Sequence, residues 1–185
     1  RPWLAVLGVV AVLLFVAYTL PPVRFNYRGG GELLEMVGVG GVLPLWNMLA
    51  HTSRLPTAAV WAFAGMMLGA LASAVASGLS DEVSDREGGK RTFATTLGNV
   101  RALALTEVAL GLAALAFLAG GMAFGSAALV VTGARTVIGV VRVVLASKTA
   151  VTNAFHALTR YKSELHAALW GSWVWLAMMI IAEHA

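Results

Sequence analysis

The sequence predicts an all-α fold, a polytopic transmembrane helical bundle of about six spans. Three observations predict it. The 185 residues are 59% hydrophobic and only 12% charged, with a mean hydropathy of +0.81, far from the composition of a soluble domain. Apolar runs of membrane length recur from one end of the chain to the other. Charged residues gather mainly between these runs, and a lipid-exposed backbone must satisfy its own hydrogen bonds, so each run should be a helix.

The first run covers 3–19 and stops at Pro21-Pro22. It lacks the cleavage site of a signal peptide and further runs follow it, so it reads as a span. The chain opens on Arg1 rather than Met, which points to an N-terminal portion upstream. The second span covers 32–50, the third 57–77 and the fourth 99–118. The Gly120-Gly121 pair reads as a helix break, after which a fifth helix runs over 122–146. A polar segment, 147–163, leads into the last span, 165–181. Small residues recur inside the runs (Gly65, Gly69, Ala70, Gly111, Gly133, Gly139), which permits close helix packing. The whole chain, 1–185, reads as a single transmembrane domain.

Six spans put segments 20–31, 78–98 and 147–164 on one side of the membrane. These carry Arg24, Arg28, Arg86, Lys90, Arg91, Lys148, Arg160 and Lys162, whereas the other side has Arg54 and little else. Cytoplasmic loops are enriched in Lys and Arg, so the basic side is the cytoplasmic one and the protein is a multi-pass protein of the cell membrane. Basic loops facing anionic lipid also account for the pI near 10.0, and no nucleic-acid partner is expected. The absence of cysteine excludes disulfides and thiolate metal sites.

The densest charge lies between Ser77 and Thr92. Asp81 and Asp85 stand four apart, so a helix puts both carboxylates on one face, one turn apart. Side by side they repel unless a cation intervenes. Acids are also disfavoured at the C-terminal end of a span by the helix dipole. Mg²⁺ commonly combines one or two carboxylates with substrate phosphates, and the basic pair Lys90-Arg91 follows at once after Gly88-Gly89. The cluster therefore reads as a metal-diphosphate site at the membrane surface. On the same face, Tyr18, Arg24 and Asn26-Tyr27-Arg28 form a second polar cluster able to meet diphosphate oxygens. Glu32 and Glu35 open the next helix, where the dipole favours acids, and read as ordinary N-terminal residues.

Intramembrane charge is costly and marks function or pairing. By helical rise, Glu107 lies about 12 Å and Arg135 about 16 Å below the cytoplasmic ends of their helices, which suggests a structural ion pair. Arg142 is nearer the surface and can snorkel. His51, His156, His166 and His184 show no metal-ligating spacing.

Asp81-x-x-x-Asp85-Arg86-x-x-Gly89-Lys90-Arg91-Thr92, followed by Leu97-Gly98, resembles the second aspartate-rich motif of the UbiA superfamily of membrane prenyltransferases. Tyr18-Thr19 and Tyr27-Arg28-Gly29-x-Gly31-Glu32 resemble the matching loop, most nearly that of the branch that prenylates 1,4-dihydroxy-2-naphthoate in menaquinone biosynthesis. The resemblance covers essentially the whole chain and fits the last six of the family's nine helices, the C-terminal two-thirds of such a domain. It implies a helical bundle whose central cavity opens to the lipid bilayer, binds a polyprenyl diphosphate through Mg²⁺ and transfers the prenyl group to an aromatic acceptor. Asp81 and Asp85 would hold the metal. Lys90, Arg91 and Ser77 would lie by the diphosphate, with Tyr18 and Arg24 facing it from the earlier loop.

The chain departs from the family pattern in three places. It has no N-D-x-x-D cluster, Ser77 stands where many relatives have Asn, and Pro22 stands where a basic residue is common, with Arg24 as its replacement. One aspartate cluster is half of such a site. The expectation is therefore that the missing N-terminal helices come from the same chain or a partner, and that these residues alone do not catalyse. The other class open to this composition is a non-catalytic transporter or lipid-binding subunit. An N-D-x-x-D motif upstream of Arg1 would favour the enzyme.

Overall fold

The computed structural model describes residues 2–51, 55–151 and 154–184, with side chains through residue 179. Arg54 and the His184 side chain lie outside them. Among the described residues the chain is helical, with no strand. Five helices are long and apolar enough to cross a membrane: α1 (Pro2–Thr19), the continuous segment Gly31–His51, α5 (Ala59–Ser80), α8 (Asn99–Phe124) and α9 (Ala127–Ala150). The sixth expected span falls within α10 (Phe155–His184), a helix of 30 residues. The short helices α2 (Phe25–Arg28), α6 (Glu82–Glu87) and α7 (Phe93–Leu97) lie in two of the polar segments between spans.

Segment Gly31–His51 is α3 (Gly31–Val37) and α4 (Leu43–His51) joined by a π-helical turn, Gly38–Val42. The turn falls on the sequence Gly-Val-Gly-Gly-Val, where helix propensity is weak. Both this turn and α3 pack on α5. A Cβ on Gly40 would sit 2.5 Å from the Met67 Cα and 2.8 Å from the Met66 carbonyl oxygen. Backbone lies on backbone there.

The core is formed by α5, α8, α9 and α10, with α8 between α5 and α9 and α10 against both α9 and α5. Lipid tails are as apolar as leucine, so association depends on close van der Waals fit. Alanines supply it: Ala72, Ala76, Ala102, Ala109 and Ala113 are fully or almost fully buried. Buried hydroxyls are satisfied locally, the Thr106 Oγ1 donating to the Ala102 carbonyl at 3.0 Å and Thr132 to Ala128 at 2.7 Å. Outside this core, α1 has no buried residue and packs mainly along the second membrane segment and α2.

Two sequence expectations change. The break falls at Gly125 (φ 66), with Ser126 capping α9, so α8 runs through Gly120-Gly121. Those glycines serve contact: a Cβ on Gly120 would lie 2.3 Å from the Trp61 Cβ, and one on Gly121 2.6 Å from the Val130 nitrogen. The polar segment 147–163 is also largely helical, because Leu158, Tyr161 and Leu165 recur at helical spacing and are buried while Thr159, Arg160 and Ser163 face outward.

The expected Glu107–Arg135 ion pair does not form. Glu107 has a buried Oε1 without a partner, and the Arg135 guanidinium lies 5.1 Å from the Trp175 ring centroid. Matched depth did not bring the two side chains together. Arg142 instead pairs with Glu164 at 2.7 Å, tying α9 to α10. A double-mutant cycle on Arg142 and Glu164 should give a coupling of about 0.5 kcal/mol, in keeping with a pair whose arginine is exposed. The same cycle on Glu107 and Arg135 should give none, as read by unfolding in detergent.

Candidate active site

The three basic segments meet at one end of the bundle. The Arg91 N–H donates to the Tyr27 carbonyl at 2.9 Å, Asn99 Nδ2 to the Ala150 carbonyl at 3.2 Å, and Lys162 Nζ to Ser80 Oγ at 3.3 Å. Glu32 is buried and locks two of the segments together, its Oε1 accepting from the Phe93 N–H at 2.7 Å. That bond satisfies a free N–H at the start of α7, where Thr92 and Thr95 form a capping box.

Between these elements lies a polar cavity of about 130 Å³. Of the residues expected at the site, Tyr18, Ser77, Asp81 and Lys90 line it. Helix α5 ends at Ser80, and Asp81 adopts φ −103°, ψ 5° between α5 and α6. The one-turn spacing to Asp85 survives, since the Asp85 N–H donates to the Asp81 carbonyl at 2.8 Å. The Asp81 carboxylate takes a bond from Ser80 Oγ at 3.1 Å and is otherwise open. Lys162 approaches the same hydroxyl, so a cation from α10 stands one hydroxyl away from Asp81.

Asp85 lies outside the cavity lining. Gly89 (φ 68) folds the loop back so that the Lys90 N–H donates to the Asp85 carbonyl at 2.8 Å, and the Lys90 ammonium sits 3.1 Å from both Asp85 carboxylate oxygens. The cation that two neighbouring acids require is therefore partly internal. Lys90 serves Asp85 on one side and lines the cavity on the other. Arg86 is drawn away by its pairing with Glu82. Arg24 and Arg91 are exposed and do not line the cavity. The Arg24 guanidinium stacks 3.7 Å from the centroid of the Tyr27 ring, whose backbone holds Arg91.

Asn26, Glu32 and Glu35 also line the cavity. The two acids were read from sequence as plain helix-start residues, and Asn26 only as one of a polar group. The Asn26 Oδ1 is buried without a hydrogen-bond partner. Like the Asp81 carboxylate, it is a hard oxygen donor in the cavity lining. Among the described residues no three His, Cys, Asp or Glu side chains gather closely enough to hold a metal by themselves. An ion here would take further oxygens from its substrate and from water, which is how Mg²⁺ is commonly bound.

A second, apolar cavity of about 430 Å³ runs beside the first, between α1 and the α3–π segment, lined by Leu14, Phe15, Leu34 and Val39. Tyr18 and Glu35 line both. A small polar chamber thus adjoins a larger apolar one, with a phenol and a carboxylate where they meet.

The model of the UbiA prenyltransferase family matches residues 1–161. The chain belongs to that family. A helical membrane bundle of this family is what the sequence resemblance predicted. The 1,4-dihydroxy-2-naphthoate octaprenyltransferase of Bacillus subtilis (strain 168) is 25% identical over 111 residues, 60% of this UbiA chain and 36% of that protein. The match spans little more than a third of that relative's length. No solved structure matches the chain.

Proposed function

We propose that this chain takes part in Mg²⁺-dependent transfer of a polyprenyl group from polyprenyl diphosphate to an aromatic acceptor, a quinone precursor such as dihydroxynaphthoate. The observation that carries the reading is the junction of the two cavities. A polar chamber with Lys90, Asp81 and Asn26 suits an anionic head group with its metal, and the apolar cavity against α1 suits an isoprenoid tail. Few other ligands need both in sequence. Naphthoate prenylation by the Bacillus relative supports the acceptor class.

On this reading Asp81 and Asn26 hold Mg²⁺ together with diphosphate oxygens, and Asp85 keeps Lys90 extended toward them. When bound, Mg²⁺ stabilises the charge of the leaving diphosphate. Lys90 adds a second positive charge on the same group, and Lys162, reaching Ser80, offsets the carboxylate charge behind it. Ser77, one turn before Asp81, offers a hydroxyl to the diphosphate. Arg24 and Arg91 lie at the same end of the bundle and attract the anion. Tyr18 closes the chamber toward the tail. The excess of basic residues at this end supports a cytoplasmic orientation of the site.

The test uses the full-length protein in native membranes, where every helix or subunit the site draws on is present. Inorganic diphosphate should bind in the presence of Mg²⁺ and be lost with EDTA, and a radiolabelled prenyl diphosphate should alkylate dihydroxynaphthoate. Absence of Mg²⁺-dependent diphosphate binding would sink the reading.

A further inference from the structure

Glu35 is the acid that the site as described leaves without work. It stands one turn after Glu32, whose carboxylate is committed to the Phe93 N–H. No side chain among the described residues forms a salt bridge with the Glu35 carboxylate, which lines both the polar chamber and the apolar cavity. The side chain is half-buried in a helix that packs on α5, so its position is fixed by the bundle rather than by a loop. The carboxylate stands about one turn inside the span, with Lys162 and Lys90 acting on it through space but neither ion-paired to it, and ionisable groups inside a span are kept for function.

We propose that Glu35 is a catalytic carboxylate that stabilises the allylic cation formed as diphosphate leaves. The inference rests on the reading above and adds a residue to it. With the diphosphate among Lys90, Asp81 and Asn26 and the tail along Phe15 and Leu34, the bond between head and tail must cross the place where Glu35 and Tyr18 stand. In the step concerned, the C1–O bond breaks and its electron pair stays on the diphosphate oxygen. The positive charge spreads over C1 and C3 of the allyl unit. The cation is consumed when a π pair of the acceptor ring bonds to C1, and the ring carbon then releases its proton, or its carboxyl group as CO₂, to restore aromaticity. Lys90 and the metal act on the leaving anion. Glu35 acts on the opposite charge from a half-buried position where the two cavities meet, and a fixed charge of the right sign at such a point favours the transition state over the uncharged allyl group of the substrate.

Glu35→Gln keeps the shape and removes the charge. Ionisation can be read without an acceptor, by following ¹⁸O from the bridging to the non-bridging positions of the prenyl diphosphate. In the full-length protein this exchange should fall by about 100-fold. Mg²⁺-dependent binding of inorganic diphosphate and the unfolding midpoint should stay at wild-type values, and Glu35→Asp should recover part of the exchange. An unchanged exchange rate in Glu35→Gln overturns the proposal. So does a loss of diphosphate binding in step with the exchange, which would make Glu35 a ligand of the metal or a support of the fold. If wild-type protein itself fails to bind diphosphate with Mg²⁺, the functional reading falls first and this proposal falls with it. A wild type that binds, beside a variant that ionises normally, removes the proposal alone.

Discussion

Asp81→Asn lowers Mg²⁺-dependent prenyl transfer by about 10²–10³-fold and leaves the unfolding midpoint where it was. The expectation follows from how little of the fold depends on this carboxylate. Asp81 is exposed, sits between two helices, and makes no side-chain cap to α6. Its hydrogen bond comes from the Ser80 hydroxyl, which is also 2.8 Å from the Ser77 carbonyl and can turn to it. Removing the charge therefore breaks little that is structural. It takes away a charged oxygen donor of the cavity, and loss of one such group from a charge-stabilising site costs rate on that scale. Asp85→Asn should behave differently. It releases the Lys90 ammonium, so it should raise the KM for prenyl diphosphate as well as lower kcat. Titration with Mg²⁺ separates the two variants, since Asp81→Asn should need far more metal for half-maximal activity. An Asp81→Asn protein with wild-type rate and metal dependence would remove the residue from the site.

The parts of the molecule that were legible in sequence are those set by the run of the chain alone. Span placement depends on length and polarity, so the first three spans begin and end within a few residues of their expected limits, and α8 starts at Asn99 as expected. The meeting of the basic segments follows from an even number of crossings, and bonds such as Arg91 to Tyr27 show it. Contacts set by the rotation of one helix against another were not legible. Rise per residue gives the depth of Glu107 and Arg135 but not their facing directions, and the pairing that formed joins Arg142 to Glu164. Gly120-Gly121 looks the same in sequence whether it ends a helix or admits a neighbour, and only the position of Trp61 decides. Glu32 and Glu35 obey the dipole rule for helix starts, which hid their cavity positions. The unusual signal was two acids within one turn of a span rather than one.

Gly40→Leu should destabilise the protein by about 1–3 kcal/mol or more and weaken Mg²⁺-diphosphate binding at a distance from the site. The contact it breaks cannot yield by rotamer change, because the atoms a Cβ would meet are the Met67 Cα at 2.5 Å, the Met66 oxygen at 2.8 Å and the Met67 nitrogen at 2.9 Å. Either α5 or the π-helical turn must move. Helix α5 is fixed on its other sides by α8 and α10, whereas α3 and the turn are flanked by α1, which has no buried residue, so the second segment should shift. That segment carries Glu32 and Glu35 at its start. Moving it strains the Glu32 bond to the Phe93 N–H, and with it the link between the loop after α6 and the chamber. Two neighbouring substitutions give the comparison. Gly41→Ala meets the flexible Met67 Sδ at 3.4 Å and should be tolerated, and Gly111→Ala enters open space and should be neutral or slightly stabilising. Unfolding midpoints in detergent, with diphosphate binding measured on the same samples, rank the three. A Gly40→Leu protein as stable as Gly111→Ala would show that the contact of the π-helical turn with α5 does not hold the site together.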